Sequence, residues 1–286
     1  MARVALVLHP QRPEALDLAL STVEWLGGVG HEVRLPPEDA ARVGRPDLAV
    51  AETDLAPGCD LVVSLGGDGT MLRSVEMAAR HDVPVLGVNL GTLGYLTDTE
   101  PDAVRSAIER VLTGTAVIEV RMLLDVVVDA PSGACESTSV LALNEAVLEK
   151  TASGHTIRVD VDLDGERFTP YAADGLIVAT PTGSTAYAFS ARGPIVEPTH
   201  RAVLLTPVSP HMLFDRTLVL DDDTVIDLTV AGGRTAALVV DGRHLGDLHP
   251  GDRVRCRGSD VVARLVLSGP RDFHAILKAK FGLADR

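Results

Sequence analysis

The chain has 286 residues, 46% of them apolar and 23% charged, with a mean hydropathy of +0.20, which excludes a disordered chain and predicts two folded domains. Its 26 lysines and arginines face 40 acidic residues, a net charge of −14, so no basic stripe recommends a nucleic acid partner. Three scattered cysteines, Cys59, Cys135 and Cys256, argue against a disulfide framework or a zinc site and predict a reducing compartment. The opening M-A-R-V-A-L-V-L-H-P is too short in apolar residues for a signal peptide or membrane span, so a cytoplasmic location without a membrane partner is expected.

Residues 4–8 form a continuous apolar run, as expected of a strand buried on both faces. Pro13 then opens a helix with Leu16, Leu20, Val23 and Leu26 at helical spacing, stopped by Gly27, Gly28 and Gly30. A short strand follows at 32–35, and 36–58 reads as a loop or irregular helix. Residues 61–65 are the next buried strand, ending in Gly66-Gly67-Asp68-Gly69-Thr70, and a helix follows with Met71, Leu72, Val75, Ala78 and Ala79 on one face. A strand at 83–88, a glycine-bearing loop at 89–95 and a helix burying Val104, Ala107, Ile108 and Val111 complete the half. The alternation predicts an open, mostly parallel α/β sheet of Rossmann-like type over residues 1–117.

Beyond residue 117 helical periodicity fades and short β-rich runs appear at 123–128, 140–148, 157–163 and 175–179. Asp164-Gly165 and Asp241-Gly242 each separate two such runs and signal hairpins. Residues 118–268 are therefore expected to form a β-rich, sandwich-like domain. The tail, 269–286, turns helical again and is expected to pack back on the first domain.

Three stretches can carry chemistry. The glycine turn at 66–70 sits where a buried strand meets a helix, the place where open α/β sheets bind anions on free N–H groups. Spacing alone also permits a tight turn whose aspartate caps the helix. Leu143-Asn144-Glu145-Ala146 puts a charge inside an apolar run, where it needs a partner unless it lies on a wet face or a strand edge. Residues 174–190, D-G-L-I-V-A-T-P-T-G-S-T-A-Y-A-F-S, run a strand into crowded hydroxyls that can hold phosphate or ribose oxygens, or serve as an ordinary loop and cap. No H-E-x-x-H and no G-x-S-x-G occurs, which removes support for a zinc or serine hydrolase.

In this order and spacing, G-G-D-G-T, L-N-E-A and the 174–190 stretch, with V-N-L-G-T-L-G-Y-L at 88–96, resemble the ATP-NAD kinase family within the GGDGT-motif kinases. The resemblance runs from Val4 to about Val266 and is weaker over 36–58 and the tail. It implies an α/β domain followed by a β-rich domain with the site in the cleft, a homodimer or homotetramer, and transfer of the ATP γ-phosphoryl group to the 2′-hydroxyl of NAD's adenosine ribose. It makes Asp68 the catalytic base beside Gly66, Gly67, Gly69 and Thr70, with Arg73 facing the phosphates. Asn144 and Glu145 become contacts to NAD's ribose and adenine region, His155 and Asp174 further dinucleotide contacts, and Thr185, Ala186, Tyr187, Ala188, Phe189 and Ser190 the segment along the adenosine.

Phosphoryl transfer depends on positioning and charge neutralisation, so Mg²⁺ or another divalent cation is expected with ATP, and Asp68 can also touch it. Inorganic polyphosphate as donor and NADH as acceptor stay open. Ala172, Thr92, Arg192 and Arg243 depart from the family pattern, where Arg, Arg, Gly and Gln or Asn respectively are found, and leave substrate preference open. The rival readings are a kinase of the same scaffold acting on a lipid or another adenosine-containing acceptor, and a non-catalytic NAD(P)-binding regulator.

Overall fold

The computed structural model describes residues 1–91, 94–269 and 272–283. The chain folds as two compact units, one of residues 1–120 with 262–286 and one of residues 121–261.

The first unit begins with β1 (Arg3–Leu8), α1 (Pro13–Gly28), β2 (Glu32–Arg34), α2 (Pro37–Val43) and α3 (Glu52–Leu55). It continues through β3 (Leu61–Gly66), α4 (Asp68–Ala78), β4 (Val85–Asn89) and α5 (Val104–Leu112). Strands run parallel in the order β2-β1-β3-β4. Residues 4–8 and every residue of β3 are buried, because helices cover both faces of a parallel sheet. In α1, Ala15, Ala19, Thr22, Val23 and Leu26 make one buried stripe, and Pro13 starts the helix where its missing N–H costs nothing.

The segment 36–58 is more ordered than a loop: it holds α2, a 3-10 turn at Pro46–Leu48, and α3. These helices are too short to display a 3.6-residue periodicity; a proline marks the start of α2 and of the 3-10 turn, and nothing of the kind marks α3.

The second unit comprises β5 (Val117–Asp129), which enters from the first, then β6 (Ser139–Ala142), β7 (Glu145–Lys150), β8 (Ile157–Leu163), β9 (Glu166–Ala173) and β10 (Gly175–Ala179). After α6 (Tyr187–Ser190) come β11 (Val203–Val208), β12 (Leu218–Leu220), β13 (Ile226–Ala231), β14 (Ala236–Val240), β15 (Arg243–Leu248) and β16 (Arg253–Leu267). One antiparallel sheet has the order β12-β11-β10-β7-β14-β15. The other pairs the first part of β16 with β13, then β8 and β9. Leu148, Leu176 and Leu205 from the first sheet and Val159, Leu228 and Val254 from the second share one core, the packing of a sandwich. The end of β16 pairs in parallel with β4 of the first unit's sheet, and α7 (Phe273–Phe281) belongs to that unit as well.

Both Asp-Gly pairs form tight hairpin turns, with φ of 51° and 82° at Asp164 and Gly165 and of 47° and 78° at Asp241 and Gly242. Two left-handed residues in sequence match the twist of the flanking strands. The run 140–148, read as one strand, is two. The backbone N–H groups of Leu143 and Asn144 donate to the Asp241 carboxylate at 2.7 and 2.9 Å, which separates β6, paired with β5, from β7, paired with β10 and β14.

Candidate active site

In the first unit, β3 delivers Gly66 to the carboxyl end of the sheet and Gly67 precedes the first turn of α4, which holds Asp68, Gly69 and Thr70. The Asp68 carboxylate accepts from the backbone N–H of Tyr95 at 2.9 Å and of Leu96 at 3.0 Å. A carboxylate beside a helix start and two further amides is favourably placed for a negative charge. Gly94 is pressed so close to Asp68 that a methyl group there would collide with the carboxylate. Thr92 and Leu93, within the same loop, lie outside the described residues.

Asp68, Gly67, Gly69 and Thr70 line an open cavity of about 610 Å³. Arg73 lines it too, one helical turn on, but its guanidinium pairs with Glu52 of α3. Three side chains the sequence reading passed over complete the wall: His9, Arg12 and Lys280. His9 and Arg12 follow β1 at the strand's carboxyl end, a position that could have flagged them. Burial and the neighbouring Arg12 and Arg42 lower the His9 pKa, so the imidazole favours its neutral form. Lys280 carries no local signal, since only the fold of the tail brings it there.

In the second unit, Glu145 opens β7 opposite Ala179 in the middle of a sheet, and only 8% of it is exposed. It therefore lies neither on a wet face nor at an edge. One carboxyl oxygen, Oε2, is buried without a hydrogen-bond partner among the described residues. Burial and the adjacent Asp241 push its pKa up to about 8, against a smaller opposing effect of the Tyr187 N–H. Asp241 was visible in the sequence only as a turn residue. It holds the 143–145 backbone through three N–H groups, the third from Glu145 at 3.0 Å.

The 174–190 stretch passes from β10 into a 3-10 turn, Thr182–Thr185, and then α6. The turn is fastened to Asn144: the Thr180 N–H donates to the Asn144 carbonyl oxygen at 2.9 Å, and the Thr180 hydroxyl to that of Leu143 at 2.5 Å. Ala188 is fully buried and packs with Val147, Ile177 and Leu204 on the sheet's other face, so it anchors α6 while Tyr187 and Phe189 remain partly exposed. Thr185 ends the turn, Ala186 links it to α6, and Ser190 is the last residue of α6. Asp174 lies beyond the other end of β10 and pairs with Lys150 at 2.7 Å. His155 is exposed and lines a separate small depression with Lys150 and Arg234. The structure thus groups Asn144, Glu145 and 180–188, and gathers Asp174 and His155 around Lys150, one strand length away.

Of the departures, Arg192 has φ of 65°, a left-handed conformation natural for the glycine expected there. Ala172 lies in β9, and Arg243 begins β15 directly after the Asp241-Gly242 turn.

Residues 4–116 match the sequence family described as ATP-NAD kinase N-terminal domain, and residues 143–268 the one described as ATP-NAD kinase C-terminal domain. The chain belongs to the ATP-NAD kinase family. Membership makes it an enzyme of the phosphotransferase class. An NAD kinase of Heliobacterium modesticaldum is 40% identical over 290 residues, covering 98% of each chain. NAD kinase 2 of Streptomyces avermitilis is 39% identical, covering 98% of this chain and 94% of its own. Among solved structures, yeast NADH kinase complexed with NADH superposes with a TM-score of 0.90 at 28% identity, covering 100% of this chain and 89% of its own. An NAD kinase from Archaeoglobus fulgidus in complex with ATP gives 0.72 at 26% identity, covering 97% and 98%. Both family halves and both neighbours agree with an α/β unit followed by a β-rich one.

Proposed function

We propose that the chain transfers the γ-phosphoryl group of MgATP to the 2′-hydroxyl of the adenosine ribose of NAD, with Asp68 as the general base. The carrying observation is the Asp68 carboxylate, held by the Tyr95 and Leu96 amides inside a cavity whose other walls are a glycine turn and basic side chains. In the transfer the ribose oxygen bonds to the γ-phosphorus as the bond to the β,γ-bridging oxygen breaks. The hydroxyl proton passes to Asp68, and ADP departs with the bond's electron pair. A ribose hydroxyl is a weak acid, so a carboxylate at hydrogen-bond distance lowers the barrier, while Gly67 and Gly69 leave room for phosphate oxygens at the start of α4. A divalent cation bound with ATP would supply neutralisation of charge on the transferring group.

Asn144 and Glu145 are proposed to engage the acceptor ribose. The buried Oε2 of Glu145, without a hydrogen-bond partner among the described residues, suits a hydroxyl group of a ligand. Thr185, Ala186, Tyr187, Phe189 and Ser190 are proposed to flank the adenosine, with Asp174 and His155 as outlying contacts. The proposed location is cytoplasmic, in keeping with three free, buried cysteines, and the proposed assembly is a homodimer or homotetramer.

Incubation with MgATP and NAD should yield NADP. Asp68→Asn should lower kcat by ~10²- to 10⁴-fold while NAD still binds. An unchanged rate in that variant would remove Asp68 from its role. Running NADH, other adenosine compounds and a diacylglycerol as acceptors, and polyphosphate as donor, separates the kinase readings; NAD binding without any turnover would favour a regulator.

A further inference from the structure

Lys280 lies on α7, yet its side chain lines the same cavity as Asp68 and the glycine turn. Its ammonium stands 4.3 Å from the centre of the Tyr95 ring, a cation–π contact that covers one side of the charge. The Tyr95 backbone N–H donates to Asp68 Oδ2 at 2.9 Å, so a single residue steadies both the carboxylate and the ammonium. The other two permanent cations of the cavity are already committed. The Arg12 guanidinium donates to the carbonyl oxygen of Leu90, and Arg73 pairs with Glu52. Among the described residues no carboxylate pairs with Lys280, although the chain holds 40 acidic residues against 26 basic ones.

An ammonium on a flexible stem is a mobile point charge with three donors, suited to phosphate oxygens. Neutral sugar hydroxyls gain much less from it, because hydrogen bonds to ionised oxygens are about twice as strong. We propose that Lys280 is a donor-binding residue: α7 brings it to the Asp68 cavity, where it contacts the phosphate chain of ATP. The proposal rests on the kinase reading of this cavity and extends it to the tail of the chain.

The test combines two measurements on the full chain, Lys280→Met and Lys280→Arg. One is calorimetric titration with a non-hydrolysable ATP analogue and Mg²⁺; the other is steady-state phosphorylation of NAD. Loss of a charged hydrogen bond should weaken analogue binding about tenfold or more in Lys280→Met and raise KM for ATP alike, with KM for NAD unchanged. Lys280→Arg, which keeps the charge, should recover most of the affinity. Wild-type affinity in Lys280→Met overturns the proposal, and so does a loss that falls on NAD instead of ATP. The titration needs no turnover. A wild-type chain that binds the analogue but leaves NAD unphosphorylated would therefore refute the kinase reading and still decide the role of Lys280, whereas one that fails to bind the analogue overturns both.

Discussion

Asp68 in the first unit and Glu145 in the second lie in different surroundings. Asp68 accepts two backbone N–H groups beside a helix start. Glu145 is buried beside Asp241 and holds its proton up to a pH of about 8. At neutral pH it is therefore a hydrogen-bond donor. The consequence for stability has a definite sign. Below its ordinary value of 4.5 the group is protonated in both folded and unfolded chains. Between there and about 8 only the folded chain keeps the proton, so stability falls as pH rises through this window and then levels. Glu145→Gln, neutral throughout, should lack that decline. Thermal unfolding from pH 5 to 8.5 should show the variant gaining on the parent by an amount on the order of a few kcal/mol. A difference that does not change with pH would sink this account of Glu145. The sequence showed a charge in an apolar run, but not that Asp241 stands beside it.

At the scale of elements, the decisive contact joins the 3-10 turn Thr182–Thr185 to the connection between β6 and β7. Gly183 comes so near the Asn144 backbone that a methyl group would overlap the Asn144 carbonyl. Gly183→Ala should therefore displace the turn, costing about 1–3 kcal/mol and lowering Tm. Under the proposed function KM for NAD should also rise, because Asn144 would shift; a variant with parental Tm and KM would contradict the tight packing. The strands of the first unit were legible because both-face burial writes continuous apolar runs such as 4–8 and 61–65. The break at 143–144 was not. It depends on an acceptor, Asp241, supplied from a distant hairpin. Nor were α2 and α3, which are too short for a periodic stripe.

On the scale of the whole molecule, a chain of net charge −14 must receive a polyanionic donor. Under the proposed function, the basic side chains of the Asp68 cavity would answer part of that repulsion and a cation on ATP the rest. Chelation with EDTA should abolish NAD phosphorylation, and Mg²⁺ in excess of the chelator should restore it. NAD binding measured separately should persist throughout; full turnover under chelation would exclude the cation from the reaction. The α/β and then β-rich character of the chain was readable as a change of texture, since helical and strand periods bury different residues.

Sequence by itself determined the family, the α/β and β-rich halves, the hairpin turns and the glycine turn around Asp68. Those features are local in spacing and chemistry, so they survive in a linear string. Tertiary structure decided which groups share a wall. It set Lys280 over Tyr95 beside Asp68, Arg73 against Glu52, and Asp241 beside Glu145. The reason is physical: charge, desolvation and hydrogen bonding act over a few ångströms, and only the folded chain brings residues so far apart in sequence within that range.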